Sequence, residues 1–160
     1  MQKKILSALL VLCGAAMFSS TAVAKSSPSD EGSESAAIST EIKSYDDQMI
    51  QAGEIAELNA RAKSRRHCWR AVKDAMIAAQ VLEDRPTTKY AKQAGEELEE
   101  KFGFKKIEVG DPFQAPIGSV LVYGGRGAGH IEIRTADGFV SDFVSDHPSN
   151  RPLIGVYVRI

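Results

Sequence analysis

The sequence predicts an α+β domain in which helices come first and an antiparallel sheet follows. Apolar residues recur at helical spacing in three segments before Gly103. After Gly103 the pattern changes to short apolar runs typical of strands, and Asp137-Gly138 is a typical hairpin turn. Helices followed by strands that are joined by turns are characteristic of the α+β class.

The first 24 residues have the three-part layout of a secretory signal peptide. Lys3 and Lys4 precede an apolar stretch that is too short to span a membrane, and Ala22-Val23-Ala24 forms a small-residue cleavage site. We therefore predict cleavage after Ala24 and a periplasmic or secreted product without a membrane span. Residues 25–35 are polar and are predicted to form a disordered lead-in.

The charge balance argues against nucleic acid as a partner. The formal net charge is −1, whereas phosphate binding requires a concentrated basic surface. Apolar residues make up 43% of the chain, which is enough for one hydrophobic core.

Residues 36–63 contain a helical pattern of apolar side chains. The residues that share a face are Ile38, Ile42, Tyr45, Met49, Ala52 and Ala56. We predict one long helix, interrupted near Gly53, that packs on the rest of the domain or on a protein partner. The main domain is predicted to occupy residues 64–160.

A second helix is predicted from Cys68 to Leu82, after which Arg85-Pro86 prevents its continuation. A third helix begins after Thr87 or Thr88, either of which can cap it, and ends at Gly103. The acidic residues of this helix are Glu96, Glu97, Glu99 and Glu100. We expect their face to be solvated.

Five strands are predicted after Gly103. They are residues 106–109, 119–123, 130–134, 139–143 and 153–160. The segment Gly124–Gly129 does not fit a phosphate-binding loop, because a strand and not a helix follows it. It is predicted to be either a plain hairpin connection or a mobile loop beside His130.

Cys68 is the one cysteine that remains once the signal peptide, which contains Cys13, is removed. It then has no internal disulfide partner, and a free thiol in an oxidising compartment is a liability unless it has a use. Two interpretations are open, a nucleophile and a small buried apolar side chain. A place at a helix N-terminus favours the first, because the helix dipole stabilises negative charge there.

A cysteine nucleophile requires a base and a group that orients the base. His130 begins a strand after the glycine-rich segment, where its imidazole can reach a surface cleft. In the predicted hairpin, Asp142 lies across from the start of this strand, so we predict that Asp142 holds the imidazole. Glu132 points to the same sheet face as His130 and is predicted to line the cleft instead.

Three motifs in this order resemble the papain-like cell-wall hydrolases of the NlpC and CHAP types. They are Cys68-Trp69 at a helix start, the turn Pro116–Gly118 before an apolar strand, and Gly129-His130-x-x-Ile133. In the NlpC-type pattern a third polar residue follows the histidine by twelve positions, which is where Asp142 stands. The resemblance covers residues 66–160. It implies a papain-like fold and a catalytic set of Cys68, His130 and Asp142 that needs no metal or other cofactor.

The resulting hypothesis is an exported cysteine hydrolase that cleaves an amide bond in peptidoglycan stem peptides through an acyl-enzyme. Trp69, Arg126 and Glu132 are predicted to contact this peptidoglycan or muropeptide substrate. Arg134 is a further candidate for binding a substrate carboxylate. The backbone amide of Cys68 is a candidate donor to the oxyanion.

Two alternatives remain open at the level of sequence. One is a non-catalytic envelope binding module on the same fold, which uses the 36–63 helix as its interaction surface. The other is a metal site formed by Cys68, His130 and Asp142, although their spacing matches no compact zinc motif.

Overall fold

The computed structural model describes residues 46–160, which form three α-helices and a six-stranded antiparallel sheet. The helices are α1 (Asp47–Asn59), α2 (Cys68–Ala78) and α3 (Ala94–Phe102). The strands are β1 (Phe104–Ile107), β2 (Val120–Tyr123), β3 (His130–Arg134), β4 (Phe139–Val140), β5 (Val144–Ser145) and β6 (Leu153–Arg159). Short 3-10 helices occur at Ala91–Gln93 and Pro112–Gln114.

The last strand of the chain lies inside the sheet. β6 pairs with both β1 and β2, which gives the order β1-β6-β2-β3-β4-β5 with antiparallel neighbours throughout. The predicted α+β class, with N-terminal helices packed on an antiparallel sheet, is confirmed. The sheet is not a simple meander, because the chain returns from β5 to place β6 between β1 and β2.

Apolar residues cover both faces of the sheet. Residues that pack against the helices are Val120, Val122, Ile131 and Ile133. Residues that form a smaller cluster on the opposite side are Ala115, Leu121, Tyr123, Phe139 and Val156. Burial on both faces explains why β2 appears in the sequence as an unbroken apolar run.

Helix α1 ends earlier than the sequence pattern predicts. Asp46 caps its N-terminus by accepting a hydrogen bond from the Gln48 amide at 2.8 Å. The last helical residue is Asn59, so residues 60–63 are not helical. The predicted interruption at Gly53 is wrong. A Cβ at this position would lie 3.1 Å from Cγ2 of Thr135, which directly follows β3. The glycine therefore permits a close approach of α1 to the sheet.

The apolar face of α1 belongs to the hydrophobic core. Met49, Ala52 and Ala56 are at most 3% exposed and pack with apolar residues of α2. This face is therefore not available to a protein partner. The earlier part of the predicted helix, the signal peptide and the lead-in lie outside the described residues. Within residues 46–160, no helix has the length and apolar character needed to cross a membrane.

A buried carboxylate, rather than a helix cap, is the partner of the two threonines before α3. Thr87 and Thr88 each donate an amide and a hydroxyl hydrogen bond to Glu97, at 2.5 to 3.0 Å. The helix begins at Ala94, which is later than predicted. Its end before Gly103 is as predicted. Glu97 is 4% exposed, so the prediction that it belongs to a solvated acidic face is wrong.

Candidate active site

Cys68 is the first residue of α2 and is partly exposed. Its side chain lies in a surface groove of about 290 Å³, here called the Cys68 groove, which is bounded by α2, by residues 85–91 and by Ala128. The first amides of a helix have no intrahelical partner, so the α2 N-terminus presents N–H groups beside the sulfur. This position agrees with the predicted helix start.

His130 is held at the open end of β3, next to Cys68. Its ring is 14% exposed and lies between the rings of Tyr123 and Phe143, with centroids 6.0 and 6.3 Å away. Gly129, at φ +77, allows the chain to enter the strand here, because a Cβ would lie 2.4 Å from the Tyr123 carbonyl oxygen. The imidazole orientation is therefore fixed on several sides.

The imidazole of His130 interacts with both of the groups that a cysteine hydrolase requires. The Cys68 thiol lies close enough to the ring to raise its pKa, and Nε2 lies 3.1 Å from Glu132 Oε2. Burial of the ring opposes its protonation. The hydrogen bonds and charges of Cys68 and Glu132 outweigh this effect and raise the pKa of His130 to about 9.

Glu132 is the carboxylate that orients the ring. It is 3% exposed, and its Oε1 accepts hydrogen bonds from the Tyr123 hydroxyl at 2.7 Å and the Ser149 amide at 3.1 Å. Burial and the Glu132 charge raise the pKa of Tyr123, so this phenol stays a donor. These contacts are internal, but Glu132 also lines a surface cleft that reaches His130, so its predicted role in substrate binding stays a prediction.

Glu132 reaches the imidazole because its side chain is long enough. The Cα atoms of two residues at positions i and i+2 of a strand are separated by roughly 7 Å. A glutamate and an imidazole that point to the same face can bridge that distance, as Glu132 and His130 do. The signal in the sequence was therefore His-x-Glu at the start of a strand.

Asp142 does not bond to His130. Its Oδ2 accepts hydrogen bonds from the amides of Arg65 at 2.6 Å and His67 at 3.2 Å, and the Ser64 hydroxyl lies 3.3 Å away. Burial opposes ionisation of this carboxyl, but the two amides and the hydroxyl outweigh it and lower the pKa of Asp142. The residue thus anchors the loop that leads into Cys68.

The expected contact fails because the β3–β4 hairpin is short. Only Ile133 with Val140 and Arg134 with Phe139 are paired before the chain turns at residues 141–143 into β5, which pairs with β4. Asp142 therefore lies beyond the end of the hairpin ladder. A longer hairpin, as predicted for residues 139–143, would have kept it opposite the first residues of β3.

The other residues predicted to contact the substrate, Trp69, Arg126 and Arg134, lie in different parts of the fold. Trp69 is 5% exposed, its indole N–H donates to the Thr88 carbonyl and hydroxyl at 3.1 Å, and its ring forms a wall of the Cys68 groove. Arg126 is exposed in the glycine-rich segment. Substrate contacts by both stay predictions. Arg134 bonds the Thr135 and Gly138 carbonyls at the hairpin turn, so its candidacy is wrong.

A buried lysine supports the wall formed by Trp69. Lys73 is 7% exposed, and its ammonium donates to the carbonyls of Pro86 and Thr88, both at 2.7 Å. The same ammonium lies 4.6 Å from the centre of the Trp69 ring. Burial lowers the pKa of Lys73. This contact could not be predicted from the sequence, because Lys73 stands in an ordinary helical pattern.

A second depression reaches His130. It has a volume of about 460 Å³ and is bounded by Ser64, Glu132, Phe143 and residues 145–151; we call it the His130 cleft. Cys68 lines the first depression and His130 lines the second.

The alternative metal site on Cys68, His130 and Asp142 is not formed. Residues 46–160 contain no group of three His, Cys, Asp or Glu side chains arranged to hold a metal ion. The Asp142 carboxylate faces the amides of the preceding loop instead. What the site does contain is a thiol beside an imidazole that is hydrogen-bonded to a carboxylate, the arrangement used for nucleophilic acyl transfer.

Comparison with known proteins identifies a structural likeness. No protein-family model matches the sequence, and no curated protein matches it significantly. A chain of the native type VI effector-immunity complex Tae3-Tai3 from Ralstonia pickettii is 23% identical, with a TM-score of 0.56 over 70% of this chain and 98% of that chain. The selenomethionine form of that complex is 25% identical, with a TM-score of 0.49 over 59% of this chain and 80% of that chain.

The first likeness shows a papain-like fold and agrees with the predicted architecture. It does not single out the NlpC or CHAP type.

Proposed function

We propose that this protein is a cysteine amidase that cleaves an amide bond in peptidoglycan stem peptides through an acyl-enzyme. The observation that carries the proposal is the row of Cys68, His130 and Glu132 at the open end of the sheet, in which His130 Nε2 lies 3.1 Å from Glu132 and the ring interacts with the Cys68 thiol. The papain-like fold, the sequence resemblance to cell-wall hydrolases and the likeness to a type VI effector complex support peptidoglycan as the substrate.

In the first half of the reaction, Cys68 attacks the amide carbonyl carbon. With a pKa of about 9, His130 carries a proton at neutral pH, and this imidazolium stabilises a negatively charged sulfur beside it. The Cys68 amide at the start of α2 is placed to donate to the oxyanion. As the C–N bond breaks, His130 gives its proton to the leaving amine, and the acyl group remains on the sulfur as a thioester.

In the second half, water replaces the released amine. The neutral His130 takes a proton from this water, the hydroxide attacks the thioester carbonyl, and the C–S bond breaks. The products are a carboxylic acid and the regenerated Cys68-His130 pair. Glu132 keeps the ring in place through both halves and stabilises its protonated form.

We also propose a location and a partner. The first 24 residues resemble a signal peptide, which supports action in the periplasm. The neighbouring solved structure is named as an effector bound to an immunity protein, which supports a protein partner for this chain as well. Such a partner would use a surface other than the buried apolar face of α1.

Digestion of purified sacculi tests the proposal. The chain without residues 1–24 is expected to release muropeptides whose new ends, identified by mass spectrometry, define one amide bond. Cys68→Ala is expected to abolish the release while its circular dichroism and unfolding midpoint stay close to those of the wild type, because the side chain is partly exposed. Release by Cys68→Ala at the wild-type rate, or binding of sacculi by the wild type without cleavage, would contradict the proposal.

A further inference from the structure

Tyr123 carries a hydroxyl that the hydrophobic core does not require. Its side chain is 0% exposed and packs on the sheet face opposite to the helices, in the cluster that includes Leu121 and Phe139. Phe139 shows that an aromatic ring without a hydroxyl fits this cluster. A buried hydroxyl costs free energy unless it is hydrogen-bonded. Within residues 46–160, the hydroxyl of Tyr123 donates to Glu132 at 2.7 Å.

Glu132 is held through one oxygen and faces His130 with the other. Its Oε1 accepts hydrogen bonds from the Tyr123 hydroxyl at 2.7 Å and the Ser149 amide at 3.1 Å. Its Oε2 lies 3.1 Å from His130 Nε2. Rotation of the carboxylate away from the imidazole would break these contacts in a side chain that is only 4% exposed. The two donors on Oε1 therefore fix the direction of Oε2.

The strand register places Tyr123 beside the imidazole as well as the carboxylate. Tyr123 and His130 are opposite each other in the β2–β3 ladder, and their ring centroids are 6.0 Å apart. Opposite residues of antiparallel strands point to the same sheet face, as do residues two positions apart on one strand. Tyr123, His130 and Glu132 thus meet on one face, where the hydroxyl bonds the carboxylate and the phenol ring borders the imidazole.

The second donor to Glu132 comes from a different part of the chain. Ser149 belongs to residues 145–151, which bound the His130 cleft. It contributes a backbone amide, so this contact depends on the path of the chain and not on the serine side chain. The Tyr123 hydroxyl is therefore the donor that a single conservative substitution can remove.

We propose that Tyr123 is a positioning residue for the reaction, and that its hydroxyl acts on His130 by holding the Glu132 carboxylate in the orientation that bonds the imidazole. The inference rests on the proposed function, because it takes His130 as the catalytic acid and base. Tyr123 acts on the reacting groups through Glu132 and not by direct contact with the substrate. This route distinguishes it from a side chain that only fills the core.

A double-mutant cycle with Tyr123→Phe and Glu132→Gln tests this route. Tyr123→Phe keeps the ring and removes the hydroxyl, so kcat on muropeptides is expected to fall about tenfold while KM stays within about twofold of the wild type. In the Glu132→Gln background the same change is expected to alter kcat less than about twofold, because the carboxylate that the hydroxyl positions is already absent.

An NMR titration of the His130 imidazole tests the same route without a substrate. The hydrogen bond and the charge of Glu132 raise the pKa of His130. A carboxylate that is no longer held against the ring raises it less, so the pKa of His130 is expected to be lower in Tyr123→Phe than in the wild type. In the Glu132→Gln background, Tyr123→Phe is expected to leave the titration unchanged.

Tyr157→Phe is the matched control for the loss of a buried hydroxyl. Tyr157 is 3% exposed and packs on the helical side of the sheet, whereas Tyr123 packs on the other side. This substitution is expected to leave both kcat and the imidazole titration as in the wild type. Circular dichroism and urea unfolding check that every variant is folded under the assay conditions.

The outcomes separate this inference from the proposed function. A wild-type kcat in Tyr123→Phe, an equal loss of kcat in the two backgrounds, or an imidazole pKa that is unchanged or higher would overturn the inference while cleavage itself remained. Failure of the wild type to cleave sacculi or muropeptides would overturn the proposed function. The titration would then still decide whether Tyr123 acts on His130 through Glu132.

Discussion

At the scale of single residues, Glu132 has the position beside the imidazole that the sequence suggests for Asp142. Both are buried carboxylates, but Glu132 bonds the imidazole, whereas Asp142 bonds two amides of the loop before Cys68. Glu132 therefore acts on the protonation of His130. Asp142 acts on the position of Cys68, which makes it a positioning residue.

Exchanging each carboxylate for its amide distinguishes these roles. Glu132→Gln removes a charge that favours the protonated ring, so the pKa of His130 is expected to fall from about 9. We expect kcat to decrease on the order of a hundredfold and its pH dependence to shift to lower pH. The measurements are the kcat profile against pH and an NMR titration of the imidazole.

Asp142→Asn is the matched comparison. It weakens charge-assisted hydrogen bonds to the loop, so the free energy of unfolding is expected to decrease by about 1 to 3 kcal/mol. Its kcat is expected to fall while the midpoint of the pH profile and the imidazole titration stay as in the wild type. A shifted titration in Asp142→Asn together with an unchanged one in Glu132→Gln would contradict the assignment.

At the scale of elements, a buried polar contact fixes the wall of the Cys68 groove. The Thr87-Thr88 segment bonds to Glu97 of α3 on one side and, through the Thr88 carbonyl, to Trp69 and Lys73 of α2 on the other. Helices α2 and α3 are thereby tied through one short segment. We expect the orientation of α2, which carries Cys68, to depend on this tie.

Glu97 makes the tie sensitive to acid. Burial opposes its ionisation, but hydrogen bonds from Thr88 and Thr87 outweigh this and lower the pKa of Glu97 from 4.5 to about 2. A carboxyl whose pKa is lower in the folded state stabilises that state at pH values above its pKa in the unfolded chain. This stabilisation is lost as the pH falls from 4.5 towards 2. In the wild type the free energy of unfolding is expected to decrease by on the order of 3 kcal/mol over this pH range through Glu97 alone. We expect this decrease to be absent in Glu97→Gln.

Urea unfolding between pH 2 and pH 5 measures the effect. Glu100→Gln, which changes an exposed carboxylate on the same helix, serves as the control and is expected to follow the wild-type curve. An acid branch of equal slope in Glu97→Gln and in the wild type would show that the tie does not depend on this charge.

Sequence patterns predict the bounds of helices and strands better than they predict which side chains contact each other. The start of α2 at Cys68, the span of β3 and the end of α3 before Gly103 follow from local signals such as spacing and a glycine stop. The two-residue length of β4 does not, because the chain turns at residues 141–143 into β5, and Asp142 in this turn bonds the loop before Cys68. This turn is determined by tertiary contacts, so local sequence patterns do not indicate it. As a result, Glu132 and not Asp142 bonds the imidazole.

At the scale of the whole molecule, α1 is part of the same core as α2 and β3, which carry Cys68 and His130. Met49 is 1% exposed and packs in the cluster that also contains Trp69 and Ile131. At the other end of the described chain, Arg159 bonds the side chain of Gln48 at 2.9 Å. The predicted domain start at residue 64 would remove this helix from the core.

Two shortened chains test the contribution of α1. A protein that begins at Asp46 keeps the helix and its cap, and it is expected to unfold cooperatively. A protein that begins at Ser64 exposes the apolar residues that α1 covers, and it is expected to lose cooperative unfolding, since each large buried side chain contributes about 2 to 5 kcal/mol. Denaturant titrations followed by tryptophan fluorescence compare them, and equal midpoints would contradict the account.

The central claim is that Cys68 and His130 form a reactive pair, and the alkylation rate of Cys68 tests it most directly. In the chain without residues 1–24, Cys68 is the sole cysteine, so mass spectrometry after treatment with iodoacetamide reports this site alone. At pH 6 the wild type is expected to react at least roughly tenfold faster than His130→Gln, because the imidazolium stabilises the reactive sulfur anion. Equal rates in the two proteins, rising only at alkaline pH, would contradict the claim.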